Sequence, residues 1–180
     1  FRSSGLDWYN VADPRPDYYR YLPSYQEDPA QAQIVLQNMQ NDVNNRQINW
    51  DKLYTTNYNS YDVVHNANGV QGFDYSGKRS RYIVENRVIN TTKFNVSSTL
   101  NAAISNKIDF SGGFNFQSQN NHYYREVEDL LGGAFYVDVN QFAERDFPSN
   151  ASANQNDLNR PNRILFKGDR FGYDYDITIR

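Results

Sequence analysis

The strictest pattern in the chain is a double alternation near its middle. From Phe94 to Ile104 the even positions read Phe94, Val96, Ser98, Leu100, Ala102 and Ile104, and the odd ones Asn95, Ser97, Thr99, Asn101 and Ala103. After Ser105-Asn106-Lys107 it restarts, with Ile108, Phe110, Phe114 and Phe116 against Asp109, Ser111, Asn115 and Gln117. A period of two over this length predicts strands whose two faces meet different environments. Apolar residues must oppose apolar ones across the hairpin. Pairing Val96 with Phe116 satisfies this, leaves Ser105-Asn106-Lys107 as the loop, and sets Ser98, Leu100 and Ala102 against Phe114, Gly112 and Phe110.

The even face continues upstream through Tyr82, Val84 and Val88, and the odd one through Glu85, Arg87 and Lys93. A strand over residues 81–104 would span roughly 75 Å at ~3.3 Å per residue, far beyond the ~5–6 residues typical of a globular strand. The return strand is expected over 108–125 and a last one over 169–180. In that last strand Phe171, Tyr173, Tyr175, Ile177 and Ile179 alternate with Arg170, Asp174, Asp176 and Thr178. Residues 1–9 are a weaker strand, with Leu6 and Trp8 on one face and Gly5 interrupting. Two long polar stretches, 10–80 and 126–168, separate these elements. Within the first, Asp28 is an N-cap with Pro29 behind it, and Ala32, Val35, Leu36 and Met39 form a helical stripe. A shorter helix over 50–56 follows Asn49.

The pattern therefore predicts an all-β chain: antiparallel strands of a transmembrane β-barrel, as a fragment, with long extracellular loops carrying short helices. One tight turn between two long loops matches the short periplasmic turns and long outer loops of such barrels. No apolar run approaches the ~20 residues of a membrane helix, which leaves strands as the membrane-crossing elements. With a net charge of −3 and no run of Lys or Arg, nothing marks a nucleic-acid surface. Cysteine is absent, which excludes disulfides, thiolate nucleophiles and cysteine metal sites. The chain opens at Phe1-Arg2-Ser3 and reads as a segment of something larger.

Candidate chemistry is sparse. His65 and His122 sit in no ligand spacing. Glu126, Glu128 and Asp129 offer carboxylates for glycosidic acid–base work, or a solvated strand end. Asp174 and Asp176 share a strand face, as a Ca²⁺ site or as a lumen-facing pair balanced by Arg170 or Arg180. No catalytic residue, metal ligand or cofactor is assigned. The ligand-contact candidates are Tyr18, Tyr19, Tyr21 and Trp50, because Tyr and Trp combine a rigid apolar body with one polar tip. The alternative is that the tyrosines, with Tyr25, pack the loop onto itself or onto the 29–41 helix.

Several stretches together resemble the barrel of TonB-dependent outer-membrane receptors, particularly the large Bacteroidetes type with a carboxypeptidase-regulatory-like extension. They are Trp8-Tyr9-Asn10 with Pro14 to Tyr25, then Ile48-Asn49-Trp50-Asp51 and Asp129-Leu130-Leu131-Gly132-Gly133. Phe142-Ala143-Glu144-Arg145-Asp146 and Gly168 to Tyr175 complete the set. The resemblance implies a 22-stranded barrel in the bacterial outer membrane that imports a scarce, bulky ligand without catalysis. It implies a TonB complex as partner, through plug regions that nothing in this sequence matches, and a surface lipoprotein as a further partner. The ligand class, whether small molecule, peptide or glycan, stays open. Two rivals remain: a secreted all-β carbohydrate-binding module and a glycoside hydrolase.

Overall fold

The computed structural model describes residues 1–150 and 152–180; within the Asn150–Asn162 loop, Ala151 lies outside the described residues. A four-stranded antiparallel sheet dominates, in the order β1 (Arg2–Trp8), β4 (Tyr82–Ser105), β5 (Ile108–Asp129), β8 (Arg170–Ile179). Two-stranded ribbons pair β2 (Tyr61–Val64) with β3 (Tyr75–Lys78), and β6 (Tyr136–Val137) with β7 (Ile164–Leu165). The helices are short: α1 (Pro29–Asn41), α2 (Trp50–Asn59) and α3 (Gln141–Asp146). The molecule is thus mostly antiparallel sheet, and among the described residues no helix is long and apolar enough to cross a membrane.

The hairpin register follows the alternation. Val96 faces Phe116, Ser98 Phe114, Leu100 Gly112 and Ala102 Phe110, and the same register holds from Glu85–Val127 to Ala103–Asp109. The turn is tighter than expected. Ser105 pairs with Ile108, so only Asn106 and Lys107 form the loop, and the irregularity falls at Ile104. A two-residue connection matches the twist of the flanking strands, and one bulged residue absorbs the difference in length. The return strand also runs four residues further than expected, to Asp129, because β8 and the base of β4 supply backbone partners. Gly5 does not interrupt β1. It pairs with Glu85, and a Cβ there would sit 3.7 Å from the Glu85 carboxylate, so the missing side chain makes room for that group.

Only the base of the hairpin is flanked. β1 covers Tyr82–Val88 of β4, and β8 covers Gln119–Glu126 of β5. The distal half, from about Asn90 round to Ser118, carries no neighbouring strand on either side among the described residues. Its apolar residues are all open, from 40 % exposed at Phe116 to 66 % at Ile104. At the base, by contrast, both faces are covered. Leu53 of α2 and Leu131 pack with Tyr82, Leu6, Trp8 and Val84 on the even-numbered face of β4. Tyr136 and Leu165 pack with Ile83, Val127, Tyr9 and Phe171 on the odd-numbered face. Val137 and Ile164 of the same small ribbon join Val64 and Ala67 in a further layer.

Residues 10–80 are less irregular than their composition suggests. Asp28 caps α1 by accepting from the Ala30 N–H at 2.9 Å, and Asn49 caps α2 through the Lys52 N–H at 3.0 Å. The second helix extends three residues past the expected end because Asn57 is anchored. Fully buried, its Nδ2 donates to the carbonyls of Tyr82, Leu130 and Leu131 at 2.8–3.1 Å. Its Oδ1 accepts from the N–H groups of Arg81 and Tyr82 at 2.7 and 3.0 Å. One amide thereby joins α2, the start of β4 and the turn after β5. The β2–β3 ribbon was not expected at all; its strands are only four residues each.

Candidate cleft and strand-face sites

The cleft forms where the proline-rich segment crosses the base of the sheet. Tyr82 donates its hydroxyl to the Ala12 carbonyl at 2.7 Å, tying that segment down. Arg15 folds back on the Asp13 carboxylate at 2.6 Å and lies 5.3 Å over the Trp8 ring. Burial raises the Asp13 carboxyl, but the Arg15 hydrogen bonds and charge outweigh it, and the net shift is downward. Burial, with Tyr21 and Asp13 nearby, pushes the Tyr82 hydroxyl up to about 12. Two single-turn helices then follow, Tyr19–Tyr21 and Pro23–Tyr25, the second with proline at its start. Beyond them α1 turns Val35 and Met39 towards Leu53 and Tyr82, enclosing a cleft of about 420 Å³.

The tyrosines gather edge to face: Tyr18 lies 4.8 Å from Tyr19 and 5.2 Å from Tyr21, and Tyr19 lies 4.9 Å from Tyr25. Such contacts, worth about 0.5–1.5 kcal/mol each beyond area burial, pack the loop onto itself. Hydrogen bonds from Arg20 and Tyr18 hold the Tyr19 hydroxyl below its ordinary value. Among the ligand-contact candidates, Tyr21 lines the cleft; Tyr18 packs beside Tyr21 and Tyr19 beside Tyr18 without lining it, and Trp50, half exposed at the start of α2, does not line it either.

Strand parity settles which face this is. β4 keeps its own alternation from Tyr82 to Ala103: it pairs continuously with β1, and the shift against β5 at Val84/Glu85 puts the extra residue, Glu128, in β5. Tyr82, at the floor of the cleft, therefore shares a face with Phe94, Val96 and Leu100. Asp174 and Asp176 share it too, opposite Tyr124 and His122. This corrects the expectation of a lumen-facing pair. In the register the two aspartates lie on the phenylalanine face, and the expected balance holds only as Arg170 on Asp174 at 3.2 Å, alongside His122. The hydrogen bonds from His122 and Arg170 keep Asp174 below its usual range, against a small burial effect.

The odd face carries what the sequence did not reveal. Glu85 is fully buried and ion-paired with Arg87 at 2.8 Å and with Arg125, which also reaches Asp7 at 2.5 Å. Arg125 lies 4.4 Å over Phe171. Tyr123 stacks on Tyr175 at 5.2 Å, with Tyr173 next to it at 5.8 Å. Charged residues at 7, 85 and 125 carry no local signal of association; only the ladder brings them together.

The remaining candidates are occupied structurally. Glu126 and Glu128 both hold Arg2, Glu128 also takes Asn86, and Asp129 accepts from the Leu131 N–H. His65 pairs with Asp74 at 2.7 Å in the turn between β2 and β3. Among the described residues no group of three His, Asp or Glu side chains could hold a metal ion. Comparison of the chain with known protein families, with curated proteins and with solved structures gives no match.

Proposed function

We propose that this chain is part of the wall of an outer-membrane β-barrel, of the TonB-dependent receptor type, that takes up a ligand without chemistry on it. One observation carries the reading. A hairpin of two strands of 24 and 22 residues projects from a packed base, and one face of its distal half is an open band of Phe, Leu, Ile and Val. In water such a band is an aggregation surface; against lipid it is satisfied. The opposite face of that band is Asn, Ser, Thr and Lys, as a water-filled lumen requires. The long connections collect at the other end of the hairpin from the two-residue turn. Four strands close no membrane barrel, for which eight is the smallest number, so the rest of the wall is supplied from outside these residues.

In this reading the odd face lines the route inward and offers Tyr123, Tyr173 and Tyr175 to a passing ligand. Tyr21 and the cleft lie on the outward face, with Tyr18 and Tyr19 beside them, and Trp50 begins the helix that covers that face. TonB and a surface lipoprotein remain the partners that the sequence resemblance suggests.

Single cysteines at Asn106 and Asn154 test the topology, since the chain has no cysteine of its own. On intact cells an impermeant thiol reagent should label Asn154→Cys and leave Asn106→Cys untouched until the outer membrane is opened. Labelling of Asn106→Cys alone inverts the topology. A monomer that melts sharply without detergent removes the membrane reading in favour of a secreted binding module.

A further inference from the structure

We infer that the cleft between the 13–27 segment and α1 is a binding site for an acidic oligosaccharide, the sugar chain of outer-leaflet glycolipid standing beside the barrel. The inference rests on the membrane reading above and adds a site that the reading does not require. Three observations carry it: the face, the charge and the lining chemistry.

The cleft floor, Tyr82, is on the face that bears Phe94, about twelve residues along the same strand. At ~3.3 Å per residue that is about 40 Å of strand, and with a tilt of 35–45° roughly 30 Å above the apolar band. A pocket at that height on the outside of a barrel opens neither to the lumen nor to acyl chains. It opens sideways into the layer of glycolipid sugars.

The charge is opposite to that of the chain. The protein carries a net −3, yet the ionisable side chains with permanent charge around the cleft are Arg15, Arg20 and Lys52 against Asp13 alone. Asp13 is spent on Arg15. Among the described residues neither Arg20 nor Lys52 has a carboxylate within ion-pair distance. Of the nearby acids, Asp17 acts on Arg15 beside Asp13, and Asp28 and Asp42 are turned onto backbone N–H groups as caps. Two uncompensated cations at one opening attract an anion.

The lining suits a sugar. Tyr21 adds an aromatic ring with one polar tip to the lining, and Val35 and Met39 an apolar wall for the C–H face of a pyranose. Asn38 and Asn44 engage neighbouring protein groups through backbone atoms, which leaves both side-chain amides, with donors and acceptors, for hydroxyls. The cleft volume of about 420 Å³ accommodates a short stretch of sugar chain rather than a whole glycolipid.

The test uses the complete receptor in detergent, titrated with the polysaccharide released from lipopolysaccharide by mild acid. Binding should weaken as salt rises. The exposed pair Arg20→Glu/Lys52→Glu should weaken it at least about tenfold, and Arg20→Gln/Lys52→Gln less. Both variants should keep the heat-modifiable gel mobility of a folded barrel. Normal mobility with unchanged affinity overturns the site and leaves the barrel standing. Loss of barrel behaviour in the parent protein itself overturns the membrane reading instead. Equal binding of neutral dextran overturns the charge argument. Tight binding of oligogalacturonate without binding of the lipopolysaccharide sugar overturns the glycolipid source.

Discussion

Replacing Asn57 with leucine should strip α2 from the sheet. The side chain fits roughly the same volume, so the effect isolates hydrogen bonding from packing. Five bonds converge on this amide. One of its carbonyl partners has further company: Leu130 O also accepts from Ser80 Oγ and the Gly133 N–H. The full loss therefore falls on the Arg81 and Tyr82 N–H groups and the Tyr82 and Leu131 carbonyls. At about 1–3 kcal/mol for each buried group left unpaired, with water rescuing part, we expect about 3–5 kcal/mol. Because the turn and helix open locally, hydrogen exchange is the assay. Amides of residues 50–60 and 80–82 in the complete protein should exchange at least about 100-fold faster in Asn57→Leu, each 1.4 kcal/mol being tenfold. Asn57→Asp should be as damaging, since it sets a carboxylate against three carbonyl oxygens. The exposed Asn59→Leu controls for helix propensity. Equal protection in Asn57→Leu and Asn59→Leu would show that the amide does not hold these elements together.

Further expectations concern the hairpin, the turn and one buried acid. Leu100→Arg, in the middle of the open apolar band, should cost about 2–4 kcal/mol of barrel stability and Thr99→Arg far less; equal loss of the heat-modifiable band from both would contradict the facing. Gly133→Ala should disrupt the turn after β5, because an added Cβ would collide with Ser80 Oγ and crowd the Ser80 backbone. Ser80→Ala in the same chain should restore only part of the lost exchange protection, since the backbone contact remains. Burial raises Asp138 above the usual carboxyl range, and the Asn156 hydrogen bond and Arg163 offset this only in part. The stability conferred by that raised value is present below the unfolded value of ~4 and lost as pH rises through the folded one. Asp138→Asn should therefore gain on the parent in urea unfolding as pH is raised from 4 to 8, and a gap that narrows instead would refute the assignment.

Some of this protein was legible along the chain because the information is local. Alternation reports strand faces directly, so the hairpin, its register and the apolar band followed from residues 82–116, with only the turn one residue too long. Caps are local as well: Asp28 with Pro29, and Asn49, mark helix starts by side chains two or three residues from the N–H groups they accept from. The odd and even faces of one strand were distinguishable; the partners across them were not. Whether Asp174 lies with the phenylalanines or opposite them depends on the parity of the register between β8 and β5, which no periodicity within β8 reveals. The Glu85–Arg125–Asp7 group joins three strands, and Asn57 joins a helix to a turn more than 70 residues away. A buried charge or amide is held by whichever groups the tertiary fold brings to it. Side-chain type alone states only that partners are needed. The same reason separates Tyr21, which the fold sets at a cleft, from Trp50, which it leaves outside.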